Sequence, residues 1–103
     1  MTVFHLVYED EGFGPISPTL HATRHHALLE ALYRLGDDMA EAETLPEAEL
    51  EDRLDKLNSK IADFNSYICS GTREEIEQFF EGTNLEIPDE VEPEFVPSSP
   101  KFG

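Results

Sequence analysis

Thr2-Val3-Phe4-His5-Leu6-Val7-Tyr8 is the stretch that decides between an α+β fold and a helical bundle. Its residues are mostly β-branched or aromatic. Their side chains alternate, with Phe4, Leu6 and Tyr8 on one face and Val3, His5 and Val7 on the other, as in a strand with at least one buried face. Residues 9–18 hold Gly12, Gly14, Pro15 and Pro18 and read as a turn or loop. A short second strand through Ile16 or Leu20 would pair with the first. Pro15 and Pro18 each remove a donor and keep such a strand at an edge.

Helical periodicity follows. Thr23 reads as an N-cap, and Ala27, Leu28, Ala31, Leu32, Leu35 and Met39 recur at spacings of three and four. Gly36 lies inside that pattern, as a tolerated interior glycine or as an early stop. Thr44-Leu45-Pro46-Glu47 has the form of a capping box with proline in the first turn. Behind it Leu50, Leu54, Leu57, Ile61, Phe64 and Ile68 form a heptad-type seam that predicts one helix ending at Ser70-Gly71. That seam either faces the first helix within the chain or joins two copies of residues 50–68, and the intramolecular case is favoured. Thr72-Arg73-Glu74-Glu75 is a second capping box, opening a short helix through Ile76, Phe79 and Phe80 that stops at Gly82. Phe79 and Phe80 are expected to close one end of the core.

Leu85 and Ile87 are expected to form a brief strand. Residues 88–103 are rich in proline and acid and read as an extended tail, ordered only where Val91, Phe95 or Val96 finds a groove. The expectation is therefore an α+β domain over residues 1–87. An N-terminal strand or small antiparallel sheet packs on an antiparallel helix pair with a short third helix, and an acidic tail follows at 88–103.

Charge restricts function more than any motif does. The chain carries 23 Asp and Glu against 7 Lys and Arg, a formal net charge of -16 over 103 residues. Solubility alone asks for roughly 2–8 net charges on a small domain. The excess costs stability through self-repulsion and points to attraction by a basic partner. Free nucleic acid and anionic membrane are disfavoured as partners, because phosphate binding needs clustered Lys and Arg. No leader or transmembrane run is evident, and the lone Cys69 fits a reducing cytoplasm.

Catalytic and metal-binding patterns are weak. His21 and His25 are four apart, but a cap at Thr23 puts His21 outside the helix, so surface histidines are the expectation. Cys69 reads as a structural thiol. The serines lack a nucleophile elbow, and the many carboxylate pairs carry no specific spacing. No enzyme activity, metal or cofactor is expected. In size, acidity and lack of catalytic motif, the chain resembles the small acidic inhibitors of phages and mobile elements. These include anti-CRISPR proteins, other DNA mimics and restriction inhibitors. It is similar also to immunity proteins that neutralise nuclease toxins. The resemblance implies occlusion of a basic nucleic-acid-binding surface, and residence in the host cytoplasm if the chain is phage-encoded.

The expected function is a non-enzymatic inhibitor of a basic, nucleic-acid-handling protein. The alternatives are a structural or adaptor protein dimerising through its heptad helix, or an immunity protein. The contact is expected on Asp37, Asp38, Glu41, Glu43, Glu47 and Glu51, and on Glu74, Glu75 and Glu77. Phe13 in its glycine loop and Phe95 in the tail are the candidate aromatic anchors. The protein is expected to be monomeric.

Overall fold

The structure is a computed structural model that describes residues 2–60 and 65–92. Seven elements follow in chain order: β1 (Phe4–Asp10), β2 (Pro15–His21), α1 (Arg24–Arg34), α2 (Met39–Ala42), α3 (Glu47–Lys60), β3 (Asn65–Gly71) and α4 (Arg73–Phe79). The strands make one antiparallel sheet in the order β2-β1-β3. The class is α+β.

Both faces of β1 are covered. Val7 points into a cluster with Ala27, Leu28, Ala31, Leu32, Ala42, Leu50 and Leu54, so α1, α2 and α3 lie on that side. Leu6, its neighbour, points the other way onto Leu20, Ile76 and Phe80. The sheet is thus the middle layer, with α4 and the segment behind it on the second face. Leu85 and Ile87 pack on that second core without forming a strand. Val91 adds one parallel bridge to Leu20 on the outer edge of β2, and the Glu92 amide donates to the Leu20 carbonyl at 2.7 Å. Phe95 and Val96 lie outside the described residues.

Local signals set most boundaries. The Thr23 hydroxyl accepts from the His26 amide at the start of α1. Gly36, at φ +80°, ends that helix: its amide donates to Tyr33 and the Asp37 amide to Leu32, a Schellman-type stop. Met39 therefore belongs to α2, where it still packs on the core of α1. Thr72 and Glu75 form the expected capping box of α4.

The second helix departs from expectation in two ways. The helix from Thr44 to Ser70 is not continuous: α3 is Glu47–Lys60, and Ile68 sits on β3 opposite Val7. Ile61 and Phe64 lie outside the described residues. Ile68 reaches the same core as Leu50 and Leu54, but from the sheet. The seam of residues 50–68 offered for dimerisation is accordingly not one helical stripe. Thr44 does not cap α3 either, because its hydroxyl donates to the Glu41 carbonyl at 2.7 Å and closes α2. The Pro46 carbonyl accepts the first amides of α3 instead.

β2 carries a bulge opposite Tyr8, with Ser17 at φ +55° beside Pro18. Arg34, at the last turn of α1, holds it. Its guanidinium donates to the Ser17 carbonyl at 2.7 Å, to Thr19 Oγ1 at 2.9 Å, and to Glu9 and Glu30 at 3.2 and 2.8 Å. Thr19 Oγ1 lies 2.8 Å from His21 Nε2. The other ring nitrogen, Nδ1, is buried with no hydrogen-bond partner among the described residues. His21 is outside the helix as expected but is fully buried, not on the surface. Burial first, then Arg34, His26 and His5, push its pKa from 6.5 down to about 4.

Two predictions follow from this corner. Arg34→Ala leaves two largely buried carboxylates and the bulge carbonyl without their donor, and should lower unfolding free energy in urea by about 2–4 kcal/mol. Above pH 6.5 His21 is neutral in both folded and unfolded chains. As pH falls from 6.5 towards 4 only the unfolded chain takes the proton, so stability drops, by about 3 kcal/mol across that window. Urea melts at about pH 7 and about pH 4.5 should show a larger loss for the wild type than for His21→Gln, which lacks the titrating ring.

Candidate acidic interface

The two acidic segments marked in the sequence lie on opposite faces of the sheet. Residues 37–51 belong to the α1–α3 layer and Glu74, Glu75 and Glu77 to α4, so the structure does not join them into one surface.

Several of these carboxylates hold the fold together. Asp37 receives two bonds from Arg53, at 2.6 and 2.9 Å, and Arg53 also reaches Glu41 at 3.0 Å. The Arg53 hydrogen bonds hold the Asp37 carboxyl below its ordinary value, although burial opposes them. Asp38 caps α2 by accepting from the Glu41 amide. Glu51 pairs with Arg24 at 2.9 Å, joining α3 to the first residue of α1. On α4, Glu75 completes the capping box and Glu77 pairs with Arg73. Arg73 also meets Asp89 and donates to the Ile87 and Pro88 carbonyls, holding the following segment against the domain.

What remains is a smaller set. Of the acids between Asp37 and Glu51 other than the cap Asp38, Glu43, Glu47 and Glu49 are exposed and carry no ion pair among the described residues. All three cluster where α2 passes into α3. Glu47 and Glu49 stand in the first turn of α3, where the positive end of the helix dipole favours carboxylates. On the other face Glu74, Glu77, Gln78 and Glu81 line a shallow depression.

Phe13 stands almost wholly in solvent, 96 % exposed, at the tip of the β1–β2 hairpin, as an anchor would. Phe95 lies outside the described residues. Phe79, expected in the core, is 62 % exposed on α4, while Phe80 behind it is buried against Tyr8. Phe79 therefore joins Phe13 as an exposed aromatic side chain, on the α4 face rather than beside α2 and α3. The sequence hid this, because both phenylalanines fit the apolar spacing of so short a helix.

Cys69 is half-buried in the middle of β3, not at a helix end, and burial pushes its thiol up. Among the described residues no group of three or more His, Cys, Asp or Glu is placed to hold a metal ion, and no helix is long and apolar enough to cross a membrane. Comparison of the chain with protein-family models, with curated proteins and with solved structures gave no match.

This division of labour separates by mutation. Asp37→Asn loses the Arg53 bonds and should cost about 1 kcal/mol in urea unfolding at neutral pH. Because the folded carboxyl is the stronger acid, that contribution is present above pH 3.8 and fades as pH falls through the lowered folded value. Glu49→Gln should leave stability within about 0.5 kcal/mol of the wild type.

Proposed function

We propose that the protein is a non-enzymatic inhibitor. It binds a basic, nucleic-acid-handling protein in the cytoplasm through the carboxylates of α2 and α3, and so blocks the surface that would take nucleic acid. The observation that supports this is the unpaired set Glu43, Glu47 and Glu49, held on an ordered helix start, in a chain of net charge -16. A row of fixed negative charges presents a basic groove with what a phosphate backbone presents. Long-range attraction of this kind raises association rates steeply and is weakened by salt.

An aromatic side chain supplies the short-range part: Phe13, exposed at the tip of the β1–β2 hairpin, offers apolar surface of the kind that anchors a charged interface. Since α4 lies on the far side of the sheet, its acids form a second, separate patch. A partner gripping α2–α3 need not touch it.

Neutralising the unpaired acids tests the proposal without removing a structural pair. Immobilised wild-type chain should capture a basic nucleic-acid-handling protein from lysate of its source cells and block that protein's binding to DNA or RNA. The Glu43→Gln, Glu47→Gln, Glu49→Gln variant should lower the association rate about tenfold at low salt and flatten its salt dependence. A variant carrying Glu74→Gln and Glu81→Gln should leave both unchanged. Capture of proteins unrelated to nucleic acid, or rates indifferent to the triple variant, would sink the proposal.

A further inference from the structure

β3 is an outer strand, with β1 on one side and, among the described residues, no strand on the other. In an antiparallel ladder alternate residues turn their N–H and C=O toward the neighbouring strand, and those between turn them outward. Asn58 of α3 shows which residues of β3 face out. Its side-chain amide donates to the Ser66 carbonyl at 2.8 Å, and its side-chain oxygen accepts the Ser66 amide at 3.1 Å. Ser66 therefore points away from β1. By the same alternation so do Ile68 and Ser70, which lie opposite Val7 and His5. Among the described residues nothing outside the ladder bonds the backbone of either. Asn58 does for Ser66 what the peptide of a fourth strand would do, and two further positions stand open.

A cleft of about 510 Å³ runs beside this edge, between β3 and the helices α1 and α3. Leu28, Leu54 and Ile68 give it apolar wall, and Glu51 and Asp55 give it acid. Glu51 is answered by Arg24, whereas Asp55 meets no cation among the described residues. Ser66, which also lines the cleft, buries a hydroxyl with no hydrogen-bond partner among the described residues.

We propose that an extended segment of a partner protein, containing lysine or arginine, adds to β3 as a fourth strand, pairs with Ile68 and Ser70, and fills this cleft against α3. The inference rests on the inhibitor reading only for the sign of the partner's charge. Strand addition takes affinity from main-chain hydrogen bonds and selectivity from alternate side chains. Every second residue of the added strand faces the helices, an apolar one over Leu28 and Leu54 and a basic one toward Asp55. A second copy of this chain is the poorer occupant, since it would bring two strongly acidic molecules together.

The test uses the full chain and a peptide of about ten residues in which lysines and valines alternate in pairs, so that each face of the strand carries both, long enough for one strand. A second peptide of the same sequence is N-methylated at alternate residues, which keeps charge and side chains but removes the pairing amides of one edge. Amide hydrogen exchange by NMR should slow about tenfold or more at Ile68 and Ser70 with the first peptide, and N-methylation should weaken binding by about tenfold. Asp55→Asn should weaken the unmodified peptide in the same direction. Equal binding of both peptides, with shifts confined to the helix carboxylates, would mean surface attraction alone and would overturn the proposal. Absence of binding would do so too, as would a dimer formed through β3 without peptide. Partner capture that survives while the peptide ignores β3 removes strand addition alone. Strand addition without any nucleic-acid-handling partner removes the inhibitor reading alone.

Discussion

Leu6 and Val7 are consecutive, both wholly buried, and point to opposite faces of the central strand. A sheet with two buried faces needs a layer on each, and a chain of 103 residues has few helices to supply them. The first layer takes α1, α2 and α3. The second is left to a helix of 7 residues and the irregular chain behind it. That shortage explains why Leu85 and Ile87 serve as core without being a strand, and why Arg73 is tied to the Ile87 and Pro88 carbonyls. The covering segment would otherwise have only a few apolar contacts to keep it in place.

The same constraint explains the buried polar corner. β2 must bend to follow the twist of β1, and the bulge at Ser17 and Pro18 leaves a carbonyl turned out of the ladder. Arg34 satisfies it from α1, and the positive charge placed there helps keep His21 neutral beside it. The cost of burying a guanidinium is offset because Glu9 and Glu30 share it at hydrogen-bond distance. One side chain thereby links the sheet edge, the central strand and the end of a helix.

The legible parts of the sequence were those governed by neighbours in the chain. The alternation of residues 2–8, the Thr23 and Thr72 caps and the edge placement of β2 all depend on residues a few positions apart. Ile68 misled because a strand of 7 residues placed its inward side chain where a helical heptad also expects one. Thr44 misled because the capping-box spacing was present while its hydroxyl had a nearer acceptor in Glu41. For the acidic face the missing information was spatial. Glu30 and Arg34 were readable as a helical pair, but Arg53 with Asp37, Arg24 with Glu51 and Arg34 with Glu9 are contacts made only by folding. No spacing rule could therefore sort structural acids from free ones.

That sorting bears on why the negative field exists. All four arginines, Arg24, Arg34, Arg53 and Arg73, stand in ion pairs that tie separate elements or helix turns together. Guanidinium suits this work better than ammonium because its planar fork serves several acceptors at once, as at Arg34 and Arg73. With the arginines committed inside, no cation contacts Glu43, Glu47, Glu49 or Asp55 among the described residues. Their repulsion is the price of the arrangement, and it is kept small by exposure to high-dielectric solvent. A basic surface approaching α3 therefore meets carboxylates that need not break an internal pair to receive it. Asp37 and Glu41, by contrast, would have to give up Arg53 first.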